Sequence, residues 1–482
     1  MVLWIWNLPE VAVGTLQKVF DRFARYSPVT VMMRGILEYA FPPEALDELF
    51  RQHAVAQYED ELLFSTTVNT LALAVTGIRP SVNEAYLACQ EKFTVSVNSL
   101  YNKLKGVETQ VSQAVVRQSA TRLAPLVCAL RAQEPPLLKG YRVKILDGKH
   151  LDGTEHRIKE TRVLNSAPLP GLILAVLDPQ RRLFLDVFPC EDAYTQERML
   201  LPQVLETVDK GDLWLDDRNF CTTGFLFGIA DRKAHFVVRQ HASTLTGKKL
   251  VGRKECIGRC ETGMVYEQAM TIRNPKASDP DRAILTVRRI TVKRDQPTED
   301  GETEIHILTN VPREHADAIE IAELYRKRWR IEYAFQELGQ ALDSEIDTLC
   351  YPKAALLAFC VAINAYNMMS VLKGAMRSAY RDPSLLSELS GYYLASEISA
   401  TYWGMMIAIE PHHWTTTFAT LSVEEMAAVL KELAAKTSVH RFRKNHRGPK
   451  RPPPKRTGGL REKHVSTARL IAARGGAQNQ NR

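Results

Sequence analysis

Apolar positions along the chain follow three successive regimes. Through residue 137 they recur at three- and four-residue intervals with few turn signals, as in LDELFRQHAVAQYEDELLFSTTVNTLALAV. That is the spacing of helices that bury one face. After Pro135 the period shortens. YRVKILDG (Tyr141–Gly148) alternates and stops at Asp-Gly, while LILAVLD (Leu172–Asp178) and RLFLDVF (Arg182–Phe188) are β-rich and joined by Pro179-Gln180-Arg181. RMLLPQVLETV (Arg198–Val208) predicts a helix with Pro202 in its first turns, and LWLDD (Leu213–Asp217) a short buried strand. TGFLFGIADRK (Thr223–Lys233) predicts a helix and HFVVRQ (His235–Gln240) a strand. Three strands, a helix, a strand, a helix and a strand predict an α/β mixed sheet covered by helices.

The third regime begins with turn signals around strand-like pieces, MVYEQAMTIR, AILTVRRITVKR and EIHILTNV, which predict a β-rich insertion over 245–310. HADAIEIAELYRKRWRIEYAFQELGQAL (His315–Leu342) then predicts the longest helix, and further helices follow to about Lys436. AALLAFCVAINAY (Ala354–Tyr366) is shorter than the roughly 20 residues of a bilayer span and predicts a buried helix. The amino-terminal MVLWIWNLPEVAVG has no positive n-region and is broken at Pro9, unlike a secretory leader. No membrane association is expected.

Composition adds an electrostatic division. At 482 residues, 45% hydrophobic and 24% charged, the chain is neither collagen-like, mucin-like nor wholly disordered. Its net charge of +8 is unevenly spread. From Lys436 to Arg482 there are 14 Lys/Arg against the single acid Glu462, a tail of +13 that leaves −5 for residues 1–435. The tail also holds Pro452–Pro454 and Gly458-Gly459 and no core-forming pattern, so it reads as a disordered basic segment. Such a tail on a slightly acidic body points to a polyanion partner, with DNA foremost. Eight scattered cysteines do not make a disulfide framework, and Cys256 and Cys260 read as reduced thiols.

In the helical region, SVNEAYLACQEKFTVSVNSLYNKLKGV (Ser81–Val107) outlines two short helices around a turn near Phe93–Val95. The second would start at Ser96 and expose Asn98, Ser99, Asn102, Lys103 and Lys105, the outline of a helix-turn-helix reader or of a plain helical hairpin.

Candidate chemistry starts on the predicted 315–342 helix. At 100° per residue, Leu324, Ile331, Ala334, Phe335, Leu338 and Leu342 share a buried arc. Tyr325, Arg328 and Glu332 fall three and four positions apart on an adjoining one. Alone they would be an ordinary i, i+4 ion pair on a solvated face. Two further acids, Asp147 in VKILDG and Asp217 in LWLDDRNF, stand at predicted strand ends, where accessible loops meet a rigid sheet. A plain Asp-Gly turn and a helix N-cap are the alternatives. Asp152-Gly153 repeats the Asp-Gly step, but Asp147 directly ends the alternating run; Asp216 competes with Asp217. His150 and His156 could pair on a metal, although surface imidazoles are the simpler reading. Three acids so placed make a ligand set for two hard divalent cations able to assist phosphoryl transfer.

These residues carry a family resemblance. Asp147 in ILDG, Asp217-Arg218-Asn219-Phe220, and YRKRWRIEYAFQELG (Tyr325–Gly339) resemble the DDE transposases of the insertion sequence 4 family, whose signature is Tyr-x2-Arg-x3-Glu-x6-Lys. The likeness covers roughly residues 138–345, including TEHRIKETR (Thr154–Arg162). It implies a ribonuclease H-like core interrupted by a β-rich insertion, with helical N- and C-terminal regions. The Asp-Arg step selects Asp217 as the second acid. Asp147, Asp217 and Glu332 would hold two Mg2+ ions, with Mn2+ able to substitute. Tyr325, Arg328 and Arg218 would contact DNA.

The implied reaction is cut-and-paste DNA transposition: hydrolysis at the element ends, then strand transfer into target DNA, without a nucleotide cofactor. The implied partners are the terminal inverted repeats, the target DNA and a second copy of the chain, in a bacterial, cytoplasmic and nucleoid-associated setting. A nuclease without strand transfer, or a non-catalytic DNA-binding protein, would use the same core. One departure stands out: the signature Lys would fall seven residues after Glu332, where the chain has Gly339. The expected division is a helical DNA-binding region (1–137), a catalytic core in two parts (138–244 and 311–380) around the insertion (245–310), a helical region (381–435) and the basic tail (436–482).

Overall fold

The computed structural model describes residues 10–445 and 448, apart from 58–60, 164, 166, 242, 246, 276–282 and 299–300. The amino-terminal apolar run through Pro9 and most of the basic tail lie outside the described residues. The described residues through Arg443 form one compact unit.

Among the described residues, seven α-helices precede the sheet: α1 (Glu10–Tyr26), α2 (Pro28–Ala40), α3 (Pro43–His53), α4 (Phe64–Val75), α5 (Val82–Ala88), α6 (Val97–Gly106) and α7 (Thr109–Ala129). The expected pair of short helices is α5 and α6. Ser81 and Ser96 cap them by accepting from the N–H groups of Glu84 and Ser99. Of the face expected to be exposed on α6, Asn98 and Asn102 are exposed and Ser99 is half-buried. Lys103 and Lys105 instead lie over the rings of Phe50 and Tyr351, at 4.1 and 4.3 Å.

Nine strands among the described residues form a single mixed sheet in the order β3-β2-β1-β4-β5-β9-β8-β7-β6. They are β1 (Arg142–His150), β2 (Leu172–Asp178), β3 (Leu183–Cys190), β4 (Asp212–Asp216), β5 (His235–Arg239), β6 (Lys249–Cys260), β7 (Gly263–Arg273), β8 (Ile284–Arg294) and β9 (Glu304–Thr309). β1 runs antiparallel to β2 and parallel to β4, which is parallel to β5. The 3-2-1-4-5 half is a mixed sheet, the order expected for the core. The insertion supplies β6–β9: β7, β8 and β9 fall on the three strand-like pieces, while β6 is a further strand that the sequence reading did not single out. The insertion does not stand apart from the core, because β9 pairs antiparallel with β5 and continues the same sheet. The helix expected over 198–208 is a 3-10 turn (Glu197–Leu200) leading into the short α8 (Leu201–Leu205), and α9 (Thr223–Asp231) follows β4.

Period-two alternation gives the sheet two apolar faces. Val143, Ile145, Leu213, Leu215 and Val237 pack toward the larger helical layer, while Leu146, Trp214, Phe236 and Val238 pack against α8 and α9.

The 315–342 segment is not one helix. Asp317 and Glu320 form a capping box that starts α10 (Ala318–Arg326), a 3-10 turn occupies Lys327–Trp329, and α11 (Arg330–Ala341) completes it. The longest helix is instead α12 (Pro352–Tyr380), 29 residues. The 354–366 run is thus part of a helix long and apolar enough, by length and composition, to cross a membrane; 94% of its most apolar window is buried within the protein. Its Asn367 side chain donates to the Phe184 carbonyl and accepts from the Phe184 N–H, closing the outer edge of β3. Among the described residues four α-helices follow: α13 (Leu385–Glu388), α14 (Gly391–Ala408), α15 (Pro411–Phe418) and α16 (Val423–Ala435). The packed unit continues past the expected start of the tail. Val439 and Phe442 are buried, and Arg443 bridges to Leu389.

Candidate active site

Asp147 lies inside β1 rather than at its end. The Asp-Gly step makes no turn, since Gly148 pairs with Leu174 and the strand runs on to His150. Alternation puts Asp147 on the face of Val143 and Ile145, toward α10 and α11. Asp217 is the first residue past β4 and opens the 3-10 turn Arg218–Phe220.

The break between α10 and α11 aligns the helix-borne groups. In a 3-10 turn, side chains at i and i+3 eclipse, which brings Arg328 into line with Tyr325. One more α-helical turn brings Glu332 alongside. Arg328 is only 7% exposed. Its guanidinium lies 3.0 Å from Glu332 and 3.5 Å from Asp147, and the Tyr325 hydroxyl donates to Asp217 at 3.3 Å. Five of the six residues singled out in the sequence therefore converge: three acids, one cation and one phenol. Arg218 sits at the rim, 3.5 Å from Glu302 of the insertion, which also pairs with Arg239 of β5.

Electrostatics follow from burial. Asp147 is pushed up to about 7 by burial, against the pull of Arg328 and the Gly148 N–H, with Glu332 and Glu197 adding repulsion. Burial alone would lower Arg328; Tyr325, Asp217, Asp147 and Glu332 outweigh it and hold the guanidinium charged. Burial, reinforced by the Asp217 charge, raises Tyr325, so its hydroxyl remains a donor.

The competing residues lie elsewhere. Asp216 shares the Trp214 face, opposite Asp147; it is fully buried, and desolvation drives its pKa well above the usual carboxylate value. Asp152 is exposed and sits 3.8 Å from Lys149. His150 and His156 do not pair, since each ring engages a backbone carbonyl, of Ala193 and of Thr161. Gly339, on the exposed side of α11, has only the Ser344 hydroxyl within 4 Å of where a Cβ would stand, so the position is open to a longer side chain.

Sequence reasoning missed Glu197, whose carboxylate takes the Asn219 amide beside Gly148. It also missed the exposed rings of Trp329 and Tyr333, which flank Glu332 on the helix. The aromatic pair was visible as an i, i+4 spacing, but Glu197 carries no local signal. A separate cluster of Glu410, His412 and His413 at the start of α15 shares no residue with this group.

A hard-cation site fits these residues. Three carboxylates act on one buried guanidinium, leaving an excess of negative charge, and all the donors are the oxygens that Mg2+ and Mn2+ take. The Arg328 Nε, buried and without a hydrogen-bond partner, is an N–H donor that suits an anionic acceptor beside the acids.

Known proteins share parts of this chain. A Sinorhizobium fredii protein, y4zB, named as a transposase, is 29% identical over 164 residues, 34% of this chain and 43% of that protein. The matched region thus spans less than half of that relative. Among solved structures, a piggyBac transposase synaptic complex with hairpin DNA, determined by cryo-EM, is similar with a TM-score of 0.38 and 8% identity over 83% of this chain and 86% of that one. Residues 138–368, the stretch that contains every residue of this site, match the family described as the transposase DDE domain.

Proposed function

We propose that the protein is a DDE transposase of the insertion sequence 4 type, acting on DNA ends by phosphodiester hydrolysis and strand transfer. The observation that carries this reading is the convergence of an aspartate on β1, an aspartate just past β4 and a helix-borne glutamate around Arg328. In it, Asp147, Asp217 and Glu332 would hold two Mg2+ ions, or Mn2+ in their place. When bound, such ions supply activation of the attacking hydroxyl or water and charge stabilisation at the leaving oxygen.

The chain's own groups have separable tasks. Arg328 screens Asp147 from Glu332, and its fork suits a phosphodiester brought to the same place. Tyr325, kept protonated, holds Asp217 in position by donating to it. The rigid β1–β4 pair fixes the spacing of the two aspartates. Arg218 and Arg239, paired with Glu302, form a cationic rim for DNA. The α5–α6 pair and the basic tail serve DNA affinity, and the working species is a homodimer on paired inverted repeats, since two ends must be cut and joined together.

The test uses purified full-length protein, linear DNA carrying the inverted repeats that flank the source gene, Mg2+ and a target plasmid. End cleavage followed by joining to the plasmid is expected. Asp217→Asn and Glu332→Gln should lower cleavage at least a thousandfold while end binding persists, a loss of about 4 kcal/mol in transition-state stabilisation. Cleavage without joining would establish a nuclease instead. Binding with no cleavage by the unsubstituted protein would leave a DNA-binding protein.

A further inference from the structure

Away from the acids, a cavity of about 510 Å3 lies among α2, α4, α12 and α14. Protein interiors hold few voids larger than a water molecule, whereas sites for small molecules run to roughly 300–1,000 Å3. The wall is mostly apolar. On α12, Val361, Asn364, Ala365, Met368 and Met369 line it at three- and four-residue spacing, so they form one face of that helix.

Asn364 is the exception in that row. It is only 4% exposed, and its amide oxygen has no hydrogen-bond partner among the described residues. Asn367, three residues on, is instead engaged by Phe184 and Ser119. Burying a polar side chain without a partner is costly, and an aliphatic residue would fill the same place without that cost. A second unmet group lies on α2. Arg34 is 8% exposed, donates from Nη1 to the Tyr402 hydroxyl at 2.7 Å and pairs with Glu38, yet its Nε–H has no partner among the described residues. The wall therefore offers one amide and one N–H donor to whatever enters.

Charge narrows the class of ligand. Arg34 and Glu38 neutralise each other within the cavity. The other charged residues of the lining, Glu91 and Glu410, are exposed and stand at its mouth with Ile407. An acidic mouth repels anions, so neither a nucleotide nor the DNA backbone suits it. A cation would give up its hydration to an apolar wall with no net charge. We propose that this cavity binds an uncharged, largely apolar small molecule that hydrogen-bonds Asn364 and the Arg34 Nε–H. The site is independent of the reading of Asp147, Asp217 and Glu332, none of which lines it.

Fluorescence titration of the full-length protein with Nile red, an uncharged apolar dye carrying a carbonyl acceptor, reads the site without DNA or metal. Saturable binding of one dye per chain, with blue-shifted emission, is expected. Asn364→Leu removes the amide at similar size and should weaken binding about tenfold. Met406→Trp puts a larger ring at a half-buried lining position; it should weaken binding at least as much and leave the melting temperature unchanged. It carries the test should Asn364→Leu fail to fold. Absence of saturable binding, or binding that the folded variants leave unchanged, would overturn the site. So would binding seen only when Trp4 and Trp6 are both replaced by Ala, which would make the chain's own amino-terminal apolar run the occupant. Dye binding lost as protein concentration rises would overturn it in favour of a second copy.

Discussion

A carboxylate on a strand beside a buried guanidinium pulls function and stability in opposite directions, and Asp147 shows the conflict at the scale of one residue. Its pKa is raised to about 7 by burial, with Glu332 and Glu197 repelling its charge and Arg328 opposing them, against 3.8 ordinarily. The folded state therefore keeps a proton that the unfolded chain releases. Between about pH 4 and 7 stability falls as pH rises; above 7 the full penalty is present, and below 4 it is absent. In cation-free buffer Asp147→Asn should thus stabilise the fold by roughly 2 kcal/mol at pH 8 and make little difference at pH 4. Thermal melts at the two pH values measure this. An equal offset at both would show that burial of the charge is not what Asp147 contributes. The same residue shows what sequence can carry. Asp147 and Glu332 are legible because strand period and helix spacing place them, and Asp217 because the Asp-Arg step of the family resemblance selects it over Asp216. Glu197 and Gly148 are not, because their meeting depends on the approach of a turn 49 positions away in the chain.

At the scale of elements, periodicity locates the pieces well and their ends less well. β2 has the bounds its apolar run predicts, and β4 and β5 differ by a residue or so. β1 overruns its Asp-Gly signal because antiparallel pairing with β2 continues to His150, a tertiary constraint that outweighs a local turn preference. The 315–342 helix breaks at Lys327–Trp329 without Gly or Pro, so no local signal announces it; the break coincides with Arg328 turning inward. In α12 the polar Asn367, fully buried, looks like a flaw in an apolar helix until its partners are seen. Its amide pairs with both backbone groups of Phe184 and donates to Ser119 of α7, closing an edge strand that would otherwise present bare peptide groups. Asn367→Ala should cost roughly 2–4 kcal/mol, since it leaves buried donors and acceptors unpaired. Its mark should be faster amide exchange at Phe184, a change that a general loosening of α12 would not confine to that strand. Unchanged exchange there would mean that β3 is closed by other means.

At the scale of the whole molecule, the basic excess belongs to a segment distinct from the compact unit that carries the site. The compact unit runs to Arg443, eight residues beyond the start of the tail that the charge pattern suggests. The reason is physical: Thr437, Val439 and Phe442 are buried, the Phe442 carbonyl accepts from Ser390, and Arg443 pairs with Asp382 at 3.0 Å and Glu388 at 2.9 Å. Beyond it, residues 444–482 hold 11 Lys/Arg and one acid. Two truncations separate fold from affinity. Ending the chain at Arg443 should leave the melting temperature unchanged and weaken DNA binding at low salt. The dependence of log affinity on log salt should become shallower by about 0.9 for each phosphate that the tail no longer neutralises. The cleavage position should not move, because the acids lie within 1–443. Ending the chain at Ala435 should in addition lower the melting temperature, since burying side chains the size of Val439 and Phe442 stabilises by roughly 1.5–3 kcal/mol each. A binding curve at low salt that ignores the shorter cut, or a cleavage site that shifts with it, would show that the tail recognises sequence or serves the fold rather than supplying non-specific charge.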